Sequence, residues 1–205
     1  MRLRFAVPML LLLLLCACGA EHSGAQQPVD LRTSLNAAGG CSYTLDLRAS
    51  FGEYYRDFSL ACRGTGEETS FSILSPEAAK GITARVSGED ATVGYEDVVL
   101  AVEDFKTRQL SPMAAPYLLN YALTKGYIAS TGMDGELLQV NYTLGYGSRT
   151  MPVRVYFAEG IPVSAEISDG ESTLIACEIK DFQINTKEVE EHEGTETNLG
   201  GDQPG

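Results

Sequence analysis

Residues 138–146 read LQVNYTLGY. Leu138, Val140, Tyr142, Leu144 and Tyr146 are apolar, and the residues between them are polar or glycine. Side chains alternate across a strand, so this stretch has one face for a core and one for water. The segments that follow repeat the rule. Met151, Val153, Val155 and Phe157 alternate with Pro152, Arg154 and Tyr156. Ile161, Val163, Ala165 and Ile167 alternate with Pro162, Ser164, Glu166 and Ser168, and Ile175, Cys177 and Ile179 close the series. Met133-Asp134-Gly135-Glu136, Gly145 to Gly147, Glu159-Gly160 and Asp169-Gly170 supply residues that accept positive φ. Connections this short join antiparallel neighbours.

The first half of the chain behaves similarly. Tyr43, Leu45 and Leu47 alternate, as do Phe58, Leu60 and Cys62, and Phe71 and Ile73, with shorter strands expected near 81–87, 91–95 and 97–103. A sheet of ten or eleven strands must curl or split. Residues 111–126 (SPMAAPYLLNYALTKG) break the alternation. Ser111 suits an N-cap, Pro112 a first turn, and Lys125 and Gly126 a helix end. Pro116 restricts the regular helix to its C-terminal side. This helix is apolar almost all round, and such helices are buried on most faces. It is expected inside the curve of the sheet, as a plug. A second helix is expected over 30–38, ending at Gly39-Gly40, and a single turn over 76–80. The fold class is therefore mainly β with an inserted helix: one long curved antiparallel sheet, an incomplete β-barrel, around one or two helices.

The ends differ from this middle. Residues 1–17 carry Arg2 and Arg4 before an apolar run of thirteen residues, Phe5–Ala17. A membrane span needs about 20, so the run reads as the core of an export signal. Leu15-Cys16-Ala17-Cys18 resembles the bacterial lipobox. That resemblance implies a lipidated Cys18 as the mature N-terminus, its acyl chains (palmitate among them) holding the protein to the extracytoplasmic face of a bacterial cell membrane. Each buried lipid methylene contributes about 0.8 kcal/mol, so two or three chains anchor stably. Residues 18–29 read as a small, polar tether and 30–185 as the half-barrel domain. Residues 186–205, with six acids against one lysine and no aromatic residue, read as a disordered acidic tail.

The net charge is −13, and two units more negative once Arg2 and Arg4 leave. That argues against nucleic acid as a partner, since phosphate binding needs a basic surface, and against charge-driven docking on anionic lipid. The two histidines, His22 and His192, both lie in the end segments, which leaves none in the fold for a catalytic pair or a histidine-rich zinc site. No phosphate loop occurs, and none of the 28 carboxylates stands in a catalytic spacing. The expectation is a protein that is no enzyme and holds neither cofactor nor metal. Cys41, Cys62 and Cys177 remain after the signal. A first hairpin turning at Phe51-Gly52 sets Cys41 opposite Cys62, a candidate disulfide in an exported protein. Two small buried thiols, or Cys177 paired with either, are the alternatives.

Phe58-Ser59-Leu60 leading to Phe71-Ser72-Ile73-Leu74-Ser75-Pro76 and then Gly81-Ile82 resembles the lipoprotein-carrier superfamily of LolA, LolB and related envelope lipoproteins. Pro162 to Ile167, followed by a hairpin and a last strand with Phe182, is similar to that family's C-terminal end. The resemblance covers roughly residues 30–185 and implies a concave apolar face that binds lipid or lipoprotein acyl chains. The residues it places there are Phe58, Leu60, Phe71, Ile73, Leu138, Val140, Tyr142, Leu144, Val153 and Val155, with Tyr117, Leu118 and Tyr121 on the helix. Two departures matter. The family's carrier is soluble whereas this chain carries an anchor signal, and no exposed aromatic-rich loop like the receptor's is evident. Two readings stay open: a cavity for acyl chains, or a filled core on the same fold with an envelope or sporulation-related protein as partner.

Overall fold

The computed structural model describes residues 23–51, 53–88, 90–102, 111–146, 149–169 and 172–185. The signal, Cys18 and the acidic tail lie outside these residues. Helix α1 (Ser23–Ala38) precedes strands β1 (Cys41–Phe51), β2 (Tyr54–Gly64), β3 (Glu68–Ser75), β4 (Thr83–Ser87), β5 (Asp90–Tyr95) and β6 (Val98–Val102). Helix α2 (Ala115–Thr124) follows, then β7 (Tyr127–Asp134), β8 (Leu137–Tyr146), β9 (Arg149–Ala158), β10 (Ile161–Asp169) and β11 (Ser172–Ile184). Single 3₁₀ turns occupy Glu77–Ala79 and Pro112–Ala114.

All eleven strands form one antiparallel sheet in the order β6-β5-β4-β3-β2-β1-β11-β10-β9-β8-β7. Two meanders, β1–β6 and β7–β11, are joined along β1 and β11. The sheet is an open half-barrel whose free edges are β6 and β7. Helix α2 lies in the connection between those edges and so sits inside the curve.

Alternation sorts the two faces. Tyr43, Leu45, Leu47 and Ala49 of β1, Met151, Val153, Val155 and Phe157 of β9, and Ile175, Cys177 and Ile179 of β11 are all buried. Each large apolar side chain buried this way stabilises the fold by about 1.5–3 kcal/mol. The outer face carries cross-strand ion pairs: Arg48–Asp57 (2.7 Å), Lys180–Asp46 (2.8 Å) and Arg154–Glu166 (3.0 Å). These are solvent-exposed and contribute little to stability.

Four local expectations are corrected. Helix α1 begins at Ser23, so residues 23–29, read as tether, are helical. Pro28 lies within the helix but faces inward and is buried, which offsets its lost hydrogen bond. The first hairpin turns one residue later than expected: Phe51 pairs with Tyr54, which sets Cys41 opposite Gly64 and Cys62 opposite Tyr43. The candidate pair is thus not in direct opposition, and Cys41, Cys62 and Cys177 are free thiols. Ile161 does not face inward. An irregularity between Pro162 and Ser164 shifts the register, burying Pro162 and leaving Ile161 exposed. Finally, Tyr54 and Tyr55 at the β1–β2 tip are exposed by 69% and 61%, an aromatic projection the sequence reading did not find.

The ends of the helices follow their sequence signals. Gly39 (φ 84°) and Gly40 (φ 123°) terminate α1, and the Gly40 amide donates to the Leu35 carbonyl at 2.8 Å. The Ser111 hydroxyl accepts from the Met113 amide. Pro116 then falls in the first turn of α2, where an amide has no intrahelical partner to lose.

Candidate functional site

The inner face of the half-barrel is one continuous apolar wall. Leu60, Phe71, Ile73, Leu138, Val140, Tyr142, Leu144, Val153 and Val155 on the strands, and Tyr117 and Leu118 on α2, are buried in a single cluster. Phe58 and Tyr121 are partly buried at its margin. The predicted lining residues therefore converge. They form the wall of a trough that α2 occupies, with nine of the helix's ten residues buried. Sequence reasoning missed Leu31 and Leu35 of α1, which are buried in the same cluster. The spacing of Pro28, Leu31 and Leu35 at i, i+3 and i+7 was the available signal.

Two polar ties hold α2 in place. Asn120, only 4% exposed, donates through Nδ2 to the Thr65 carbonyl and to Thr69 Oγ1, both at 2.8 Å. It can lie there because residue 64 is glycine: a Cβ at that position would overlap the Asn120 amide. Asn120 Oδ1 is buried with no partner among the described residues. The second tie comes from α1. The Arg32 guanidinium donates to the Gly126 carbonyl at 2.6 Å and to the Ala122 and Leu123 carbonyls at 3.3 Å. A cation thus caps the negative end of α2, where helix carbonyls otherwise lack donors.

Two features of the interior are chemically quiet. The Tyr142 hydroxyl is buried without a partner among the described residues, and burial pushes its pKa up, opposed by Arg32. Burial raises the Cys41 and Cys177 thiols to about 12, and Cys62 upward through burial and its two thiol neighbours. Such thiols are protonated at neutral pH, the form in which sulfur is a weak nucleophile.

One pocket shares two residues, Leu138 and Phe157, with the buried inner cluster. Beneath the first turns of α1, Gly24, Ala25 and Gln27 face Thr131, Gly132 and Met133 of β7, Leu138 of β8 and Phe157 of β9, with Glu136 and Glu159 beside them. The space enclosed is about 640 Å³, within the size range of small-ligand sites. Its floor, Leu138 and Phe157, is a directly opposed pair from the inner wall. Two further grooves, of about 480 and 560 Å³, run across β2–β6 and across β1, β2 and β11, and their linings mix polar residues such as Arg63, Arg85 and Asp46 with Phe71, Phe58 and Cys177.

No family model matches the chain, and no curated protein matches its sequence. Solved structures do. The chain is similar to a LolA superfamily protein from Nitrosomonas europaea, with 9% identity over 77% of this chain and 93% of that one, at a TM-score of 0.44. A putative outer membrane lipoprotein-sorting protein domain from Vibrio parahaemolyticus aligns with 80% of this chain and 93% of its own, at 10% identity and a TM-score of 0.46. The Mycobacterium tuberculosis lipoprotein LppX aligns over 80% and 97%, at 14% identity and a TM-score of 0.40. At these identities the likeness is one of fold alone, and the open half-barrel is read from this chain's own strand order.

Proposed function

We propose that this protein is an extracytoplasmic lipoprotein, anchored through Cys18, that binds a lipid or lipoprotein acyl chain in the trough between α2 and the sheet. It works by sequestering the chain, without catalysis. The observation that carries this reading is the mouth under α1, a pocket of about 640 Å³ whose floor is the Leu138–Phe157 pair of the inner apolar wall. A chain entering there slides along walls that are already apolar, so little polar surface is desolvated.

The test uses residues 19–205, which contain every described element, purified natively and analysed by native mass spectrometry with lipid extraction and an added fatty-acid probe. One acyl chain per protein is expected, and Thr131→Trp, at an exposed position lining the mouth, abolishes uptake while the melting temperature holds. An apo mass with no uptake of the probe overturns the reading.

A second reading, an envelope interaction protein on the same fold, is favoured by one specific feature. Edge strand β6 exposes Val98, Val99 and Leu100, carries no charge or proline and pairs on one side only among the described residues, and such apolar edges are templates for another strand. Loss of the acyl reading turns attention to that edge.

A further inference from the structure

The mouth lies where the anchor begins. Cys18 precedes Ser23, the first residue of α1, by five chain steps. An extended chain spans at most about 3.6 Å per residue, so the cysteine lies within roughly 18 Å of Ser23 whatever path residues 19–22 take. Gly24 and Ala25, immediately after Ser23, already line the mouth. The registers Leu138↔Phe157 and Ile161↔Ala158 put the β7–β8 and β9–β10 turns at this same end of the strands. Here Met133 is 67% and Ile161 50% exposed, and Val29 is exposed on α1. The β1–β2 tip with Tyr54 and Tyr55 is at the other end, since β1 starts opposite Ile184 and runs away from the mouth. A ten-residue strand such as β8 separates the two ends by about 34 Å.

We infer that the mouth end is seated on the bilayer that holds Cys18, with Met133 and Ile161 in the lipid interface, so that the trough draws its chain directly from that bilayer. This rests on the lipid-anchor and acyl-chain readings above. Apolar side chains without neighbours to bury them are stabilised at such an interface, and the tether is too short to let the mouth face away freely. Asp134, Glu136 and Glu159 in the same turns repel anionic headgroups. The surface it fits is therefore zwitterionic phospholipid.

The full lipidated chain is reconstituted on phosphatidylcholine vesicles with a polarity-sensitive fluorophore at Met133→Cys or, as a control at the far end, at Tyr54→Cys. Cys41, Cys62 and Cys177 are buried, so labelling of the folded chain is selective. The Met133 probe shifts to the blue and brightens several-fold, and the Tyr54 probe stays as in water. Replacing a fifth of the lipid with phosphatidylglycerol lowers the Met133 signal. A Met133 probe that remains in water, or a Tyr54 probe that shifts instead, overturns the inference. The mass of the Cys18 peptide reports the anchor, and fatty-acid uptake by residues 19–205 reports acyl binding. If both hold while the Met133 probe is silent, the orientation alone fails; an unacylated Cys18 removes the orientation together with the anchor.

Discussion

Arg32→Met severs the tie between α1 and α2 while keeping most of the side chain's apolar stem. Arg32 is half-buried and makes one short bond, 2.6 Å to the Gly126 carbonyl, and two long ones at 3.3 Å. A hydrogen bond to a charged group contributes about 1.5–3 kcal/mol, and a cation at a helix C-terminus about 0.3–1 more. With the two long bonds counted near zero, the loss is about 2–4 kcal/mol, a large share of the roughly 5–15 kcal/mol that stabilises a domain. With a urea slope of about 2 kcal/mol/M, the unfolding midpoint falls by about 1–2 M. The structural claim is sharper than the stability claim, because the two helices should loosen together. Hydrogen exchange of the Leu118, Leu119 and Leu123 amides is expected to accelerate about 30- to 700-fold, at 1.4 kcal/mol per factor of ten, while the β1–β11 amides change only with global unfolding. Fatty-acid uptake speeds up in the same variant. A midpoint shift under about 0.3 M, with α2 exchange unchanged, refutes the coupling of the two helices.

Gly64→Ala destabilises more than Asn120→Ala does, because the new Cβ overlaps the Asn120 amide and breaks its bonds as well. In the Asn120→Ala background its added cost shrinks, and additive effects in urea melts refute the contact. Tyr142→Phe removes a buried hydroxyl that has no partner among the described residues, so it is neutral or stabilising by up to about 1 kcal/mol. A clear loss of stability in a thermal melt of that variant means the hydroxyl is bonded. Residues 19–205 show three thiols per chain to a thiol reagent after denaturation without reductant, and none when folded. Fewer than three after denaturation reveals a disulfide. Those thiols stay protonated in the folded state to about pH 12 for Cys41 and Cys177, but ionise near pH 9 when unfolded. Their contribution is complete below pH 9 and declines as pH rises from 9 toward 12, by about 1 kcal/mol per unit for each thiol. A urea midpoint that is flat between pH 8 and pH 10.5 contradicts this.

The strands were legible because alternation is a local signal. Leu138 to Leu144 and Met151 to Phe157 needed only their own order, and both keep their full register across β8 and β9. What depended on a single residue of offset was not legible. The turn at residues 52–53 moved Cys62 from Cys41 to Tyr43, and the irregularity at Pro162 turned Ile161 to water. Both outcomes are decided by how two strands meet, which neither strand encodes alone. The early start of α1 was hidden for a similar reason. Ser23 to Val29 is small, polar and interrupted by Pro28, yet it is helical, with Gly24 beside Leu138 and Pro28 buried. The mouth was the least legible feature: Gly24, Met133, Leu138 and Phe157 come from four elements and share no spacing.

A trough filled by α2 is what a chain-binding half-barrel requires at rest. An empty apolar cavity costs about 24 cal/mol per Å³, so a void of even 400 Å³ costs on the order of 10 kcal/mol, comparable to the whole stability of a domain. The trough must therefore hold its own side chains until a ligand replaces them. Leu118, Leu119 and Leu123 of α2 gain about 5–9 kcal/mol by burial. Ten methylenes of an acyl chain gain about 8 kcal/mol. The exchange of one for the other is close to balance in apolar terms, so a packed interior does not separate a carrier from a filled core. What separates them is the polar ties, Arg32 to the end of α2 and Asn120 to Thr65 and Thr69. If these are worth a few kcal/mol, as their geometry implies, α2 yields to a chain only when both are released, and the same variants that weaken them must quicken uptake.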